Sequence, residues 1–235
     1  MTREVELRVL VERTRYVLFD FDGPICRLFA RHRAEDIARA QVKWLEDRGL
    51  VDILTEKERF SPDPHGVLST LAERHPGSDL LVGLEEHLTR QELRAARSAM
   101  PTPYADPLIR TWDAVGARLA IVTNNSPRTV ASYLGERGLL ECFAPRIYGR
   151  TQDLSELKPN PVSLYKALGT LGADREASLM IGDTPSDYAA ASSARVPFLA
   201  YARNEAARAR MLNAGVPEQS IVESLEPLLL ALKHS

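Results

Sequence analysis

Cysteine is scarce in this chain. Its 235 residues hold two, Cys26 and Cys142, too few for a disulfide framework and without zinc-ligand spacing. Both read as buried reduced thiols, which makes a cytoplasmic setting the expectation. Charge of one sign is not in excess either. Thirty Lys and Arg stand against 32 Asp and Glu, a formal net charge of −2, so nothing directs the chain to nucleic acid. Runs of about 18 apolar residues, the length needed to cross a bilayer, are missing. The opening MTREVELRVLVERTR is too charged for a signal peptide. There is no internal repeat, no low-complexity tract, and no glycine-rich loop of the dinucleotide or P-loop type.

What is there is an alternation of strands and helices, interrupted once. Tyr16–Phe19 is a continuous apolar run stopped by Gly23-Pro24, the pattern of a strand buried on both faces of a parallel sheet. Residues 5–12 fit both the helical and the strand period and are assigned to a helix. From 27 to 100 the composition turns to Ala, Arg, Glu and Leu at helical spacing, with breakers at Ser61-Pro62-Asp63-Pro64 and Pro76-Gly77. About four helices are expected there, and no strand. After Pro101 the alternation resumes, with strands over 118–123, 146–148, 178–182, 197–200 and 221–222 and helices between and after them. The expectation is an α/β protein: a Rossmann-like parallel sheet with helices on both faces, formed by 1–26 and 101–235, with an all-α cap inserted at 27–100.

Three strands of such a sheet end in polar residues at the edge where ligands bind. The first runs into Asp20-Phe21-Asp22, the second into Thr123-Asn124-Asn125, and the third into Asp183-Thr184-Pro185-Ser186-Asp187. A fourth element, Leu157-Lys158-Pro159, puts one amine in a rigid turn before a helix. Carboxylates close together repel and lose hydration, and a cation offsets that repulsion for Asp20, Asp22 and Asp183. Hard oxygen donors with few histidines suit Mg²⁺. Lys158 supplies a point charge, and Thr123 with the Asn124 amide supplies donors for phosphoryl oxygens. Phosphoryl transfer, in which positioning and charge neutralisation do most of the catalysis, is the chemistry these groups serve.

The order DFDG, TNN, LKP, GDTPSD resembles the haloacid dehalogenase superfamily of phosphohydrolases, with the helical insertion between the first two motifs. DxD alone is common; the four together, spread over most of the chain, are specific. The resemblance implies Asp20 as the nucleophile that forms an aspartyl-phosphate and Asp22 as the acid and base. It implies Thr123 and Asn124 as phosphate-holding residues, Lys158 as the balancing charge, and Asp183 as a Mg²⁺ ligand alongside Asp20 and Asp22. Asp187 is a further metal ligand, directly or through water, or a partner of Lys158. The implied activity is a Mg²⁺-dependent phosphatase for a small phosphate ester, comparable to phosphoglycolate phosphatases, with substrate choice in the cap. A phosphomutase would keep the same residues, and a non-catalytic binding protein would keep the fold. No membrane or nucleic-acid partner is expected, and monomer and homodimer both remain open. One departure stands out: Pro24 follows the glycine where the superfamily usually has Thr or Val. It removes a donor and restricts φ in a turn the resemblance requires to open and close, so altered gating is expected with intact carboxylates.

Other polar stretches have plainer readings. Arg27, Arg31, His32 and Arg33 read as the solvated face of a helix at the insertion's start. Asp63-Pro64-His65-Gly66 reads as a helix N-cap in a lid loop. Asp187 also suits the first turn of a helix, where the dipole favours an acid.

Overall fold

The computed structural model describes residues 3–50 and 52–233. Among them α1 (Arg3–Arg13) leads into β1 (Tyr16–Phe19), as assigned from the sequence. Two residues after Phe21 the chain begins its excursion. It passes β2 (Cys26–Arg27), α2 (Ala34–Glu46), α3 (Glu56–Arg59), α4 (Pro64–Arg74) and α5 (Asp79–Ala96), then returns through β3 (Met100–Pro101). The rest alternates: α6 (Ala105–Ala114), β4 (Arg118–Val122), α7 (Pro127–Glu136), α8 (Leu140–Phe143), β5 (Ile147–Tyr148), α9 (Val162–Leu171), β6 (Ser178–Gly182), α10 (Pro185–Ala194), β7 (Phe198–Tyr201), α11 (Glu205–Asn213), β8 (Ile221–Val222) and α12 (Glu226–Lys233).

The six longer-range strands form one parallel sheet in the order β5-β4-β1-β6-β7-β8. Strand alternation divides its core. Val17, Phe19, Leu119, Ile121, Leu179 and Ile181 face α1, α6, α7 and α12, where they meet Trp112, Phe143 and Leu228. Leu18, Ala120, Val122 and Met180 face α9 and α10, packing on Leu164, Leu168, Ala190 and Ala194. This burial on both faces is why the three central strands read as unbroken apolar runs rather than alternating ones. Phe19 pairs with both Ile121 and Ile181, so the chain leaves β1, β4 and β6 at one level. There the strand order reverses around β1, which opens a crevice at the carboxyl edge.

The inserted helices have a core of their own, built from Ile37, Leu45, Leu68, Leu71, Leu84 and Leu88. Leu154, from the loop after β5, docks into it. Two corrections to the sequence expectations arise here. β2 and β3 pair antiparallel as a ribbon of two residues each, where no strand was expected. Such short segments carry no alternation to read; they pair because the outgoing and returning chains run side by side. Thr102 reinforces this junction, its Oγ1 donating to Gly23 O at 2.5 Å and its N–H to Ile25 O at 3.0 Å. The single turn of α8 was also unforeseen. No described helix is long and apolar enough to cross a membrane.

Candidate active site

Each candidate group sits where a strand gives way to a turn. Asp20 follows β1 directly, Thr123 follows β4, and Asp183 follows β6. Lys158 arrives from the loop before α9, and Asn124 holds it there. The Asn124 side chain donates Nδ2–H to Lys158 O at 3.0 Å and accepts the Lys158 N–H at 2.9 Å. The Asn124 amide was expected to serve phosphate; its side chain anchors the lysine loop, and the residue lines the cavity.

Lys158 is buried and its Nζ makes three contacts: Asp20 Oδ1 at 2.7 Å, Asp187 Oδ1 at 2.5 Å and Val122 O at 2.9 Å. Burial alone would lower its pKa, but the Asp187 and Asp20 carboxylates raise it, so the ammonium stays charged. The second Asp187 oxygen accepts from Thr184 N (2.9 Å), Thr184 Oγ1 (2.7 Å) and Asp183 N (3.2 Å), closing a capping box at the start of α10. Of the roles expected for Asp187, the lysine partner and the first-turn acid are the two its hydrogen bonds describe. Gly182 makes this arrangement possible, because a Cβ there would collide with the Asp187 side chain.

The other carboxylates are less well served. Asp20, Asp183 and Asp187 each offer an oxygen within 4.8 Å of the others. Asp183 Oδ1 is buried with no hydrogen-bond partner. Its pKa is pushed well up, first by burial and then by Asp20, Asp187 and Asp22. Asp20 is raised to about 6 by burial, with Lys158 pulling the other way. Asp22 is raised to about 7, again by burial, although its carboxylate accepts the Leu28 N–H at 2.7 Å. The Asp22 carboxylate, expected among the metal ligands, is not part of the group formed by Asp20, Asp183 and Asp187. Gly23, at φ +122°, passes so close to the Asp183 carboxylate that any Cβ would strike it. Pro24 sits in a turn whose bonds use the N–H groups of Gly23, Ile25 and Cys26, so its missing donor costs no bond there.

Asp20, Asp22, Lys158 and Asp187 floor a cavity of about 570 Å³, while Asp183 borders a neighbouring pocket with Asp22, Gly23, Arg27 and Arg203. Asp20, Asp22, Thr123 and Lys158 lie on the core side, and Phe29, Pro62, His65 and Ser69 on the side of the insertion. Asp63 caps α4 by accepting His65 N–H at 2.9 Å, as expected, and the same turn presents His65 to the cavity. An acid-rich floor with one fixed ammonium fits a hard divalent cation: the donors are all oxygen, and a buried carboxylate oxygen awaits a partner.

Sequence reasoning did not single out Glu92 and Arg150. Both side chains are fully buried and paired, with Arg150 Nη1 to Glu92 Oε1 at 2.8 Å and Nη2 to Oε2 at 3.2 Å. Glu92 also accepts from Ser126 N (2.9 Å) and Asn125 Nδ2 (3.1 Å). Burial would raise the Glu92 pKa, but Arg150 and His65 bring it down to about 2. A signal existed: Glu92 falls on the buried stripe Leu81, Leu84, Leu88, Ala95 of α5, where an acid is out of place unless partnered.

Fold and site together define a parallel α/β protein with an acidic cluster at the carboxyl edge of its sheet. Residues 14–195 match the profile of the haloacid dehalogenase-like hydrolases, and the chain belongs to that family. It is an enzyme of the phosphatase kind within it. A phosphoglycolate phosphatase of Neisseria gonorrhoeae is 27% identical over 195 residues, covering 80% of each chain. In fold, the chain is similar to a predicted phosphatase from Clostridium acetobutylicum (TM-score 0.67, 18% identity, 94% of this chain and 99% of that one). It is also similar to CbbY from Rhodobacter sphaeroides, solved in complex with phosphate (TM-score 0.60, 21% identity, 80% and 86%).

Proposed function

We propose that this enzyme hydrolyses a small phosphomonoester with the help of Mg²⁺, through an aspartyl-phosphate on Asp20. The observation that carries the reading is the gathering of Asp20, Asp183 and Asp187 oxygens within 4.8 Å of one another, with Lys158 on Asp20, where Asp20, Asp187 and Lys158 line a cavity that also takes in Thr123. Asp20 and Asp183 would hold the ion, with Asp187 beside them. When bound, Mg²⁺ neutralises charge on the phosphoryl oxygens and lowers the repulsion among the carboxylates.

The chain's own residues account for the proton and bond changes. Lys158 keeps Asp20 ionised and oriented, so that a carboxylate oxygen can attack phosphorus. As that P–O bond forms, the ester P–O bond breaks and its oxygen takes a proton from Asp22. A pKa of about 7 lets Asp22 carry that proton near neutrality. Water then attacks the acyl phosphate, returns a proton to Asp22, and frees phosphate and the Asp20 carboxylate. Thr123 holds a phosphoryl oxygen throughout.

A cavity of about 570 Å³ suits a compact ester, and the names of the relatives point to the same class. The inserted helices at 27–100 act as the lid that encloses it. The test is p-nitrophenyl phosphate and a panel of phosphorylated small acids and sugars, with and without Mg²⁺. Turnover that needs the metal and vanishes in Asp20→Asn is expected. Wild-type protein inert towards the whole panel in Mg²⁺ would overturn the reading.

A further inference from the structure

Glu92 and Arg150 are buried ionised groups that the proposed chemistry does not use. Glu92 belongs to α5, in the insertion; besides Arg150, two of the groups it binds, Asn125 and Ser126, belong to the loop 123–126, after β4. That loop opens α7, whose N-cap residue Ser126 makes no side-chain capping bond. The cap comes from elsewhere: Glu92 Oε2 accepts the Ser126 N–H at 2.9 Å. Glu92 Oε1 accepts Asn125 Nδ2–H at 3.1 Å. A carboxylate can only accept, so it settles which end of the Asn125 amide faces it. The carbonyl end, Oδ1, is thereby turned to Thr123, whose Oγ1 donates to it at 3.2 Å while accepting Asn125 N–H at 3.2 Å. Arg150 completes the clamp, donating from Nη1 to Asn124 O and from its backbone N–H to Asn125 O.

We infer that Glu92 is a positioning residue for the phosphate-holding loop, fixing the place of the Thr123 oxygen through Asn125 and the Ser126 amide, so that its one proton, resting on Asn125 Oδ1, has only to turn to a phosphoryl oxygen. The inference rests on the reading of Thr123 as a phosphate ligand. It makes the insertion part of the phosphate site through a residue that never touches substrate. With the loop fixed in advance, no binding energy goes into ordering it.

Two variants interrupt this chain of contacts at different points. Glu92→Gln removes the charge, and Asn125→Ala removes the middle link while leaving the Glu92–Arg150 pair whole, so the latter carries the test should the former not fold. Calorimetric titration of inorganic phosphate into Mg²⁺-loaded protein is the readout, beside kcat and KM for p-nitrophenyl phosphate. Each variant is expected to weaken phosphate by about five- to tenfold, the loss of roughly one positioning hydrogen bond. In a Thr123→Val background neither should weaken it further, because the route to phosphate runs through that hydroxyl. A purely structural role would lower the melting temperature and leave phosphate affinity at the wild-type value, or add in full to Thr123→Val. Either result overturns the inference. If Thr123→Val weakens phosphate and Asn125→Ala does not, the positioning role alone falls. If Thr123→Val binds phosphate as tightly as wild type, the phosphate reading falls with it.

Discussion

The molecule buries two charged clusters within reach of the same loop, and they are built to opposite ends. Around Arg150, Glu92 has every oxygen engaged, and its pKa falls to about 2. Around Lys158, three aspartates crowd one ammonium, Asp183 keeps a buried oxygen without a partner, and the pKa values of Asp20 and Asp183 rise. The first cluster is finished by the protein itself and holds the insertion to the sheet. The second keeps a buried oxygen unmet, the place proposed for Mg²⁺. A buried carboxylate is therefore not in itself the mark of a site; several carboxylates crowded together with one left incomplete is the stronger sign.

The contrast can be broken most severely at Asp20. Asp20→Asn removes the proposed nucleophile and should cut Mg²⁺-dependent turnover of p-nitrophenyl phosphate by at least about 10³-fold. Turnover within tenfold of wild type would remove Asp20 from the chemistry. Stability should move differently in the two clusters. Glu92→Gln takes from buried Arg150 the carboxylate it pairs with most closely, leaving Glu85 as its ionic partner, and should cost about 3 kcal/mol in a urea titration. Asp183→Asn, measured in chelator, removes an unpartnered charge and should leave stability unchanged or higher by about 1 kcal/mol. Equal losses in both variants would erase the distinction.

The two clusters should also titrate with opposite signs. Glu92 has a folded pKa below its ordinary 4.5, so its contribution is present above that value and is lost as the pH falls towards 2. Asp20 and Asp22 have folded pKa values raised to about 6 and about 7 from 3.8. Between those limits the native state holds more protons than the unfolded chain, so metal-free protein should lose stability as the pH rises from about 4 to 7. Unfolding midpoints in chelator across that range should show this slope, and added Mg²⁺ should flatten it. A rise in stability over the same interval without metal would contradict the assignment. The smallest effect belongs to Pro24. Pro24→Thr restores a donor that the turn does not use, so turnover should shift by no more than about threefold. A tenfold change would make that turn a gate sensitive to its residue.

Much of the sheet edge was legible in advance because the physics there is local. A strand buried on both faces must be apolar throughout, which made Tyr16–Phe19 and Ser178–Gly182 visible, and the polar residues that follow each run marked the carboxyl edge. Lys158 stands out by its order in the chain, and its Nζ lies 2.7 Å from Asp20 Oδ1. What escaped notice depends on distant partners. Glu92 and Arg150 meet across 58 residues, and nothing next to either one announces the other. The two-residue ribbon of β2 and β3 exists only because the insertion leaves and returns at one place. The tie between the Asn124 side chain and the Lys158 backbone spans 34 residues and is visible only in the fold.

The central claim is that Asp20 takes the phosphoryl group. Acid-quenched turnover of a phosphomonoester in Mg²⁺, followed by mass spectrometry of the peptide that carries Asp20, tests it without intermediaries. Peptide heavier by one phosphoryl group in wild type, and absent in Asp20→Asn, is the predicted result. Metal-dependent hydrolysis with that peptide unmodified, or with the phosphoryl group on another residue, would contradict it.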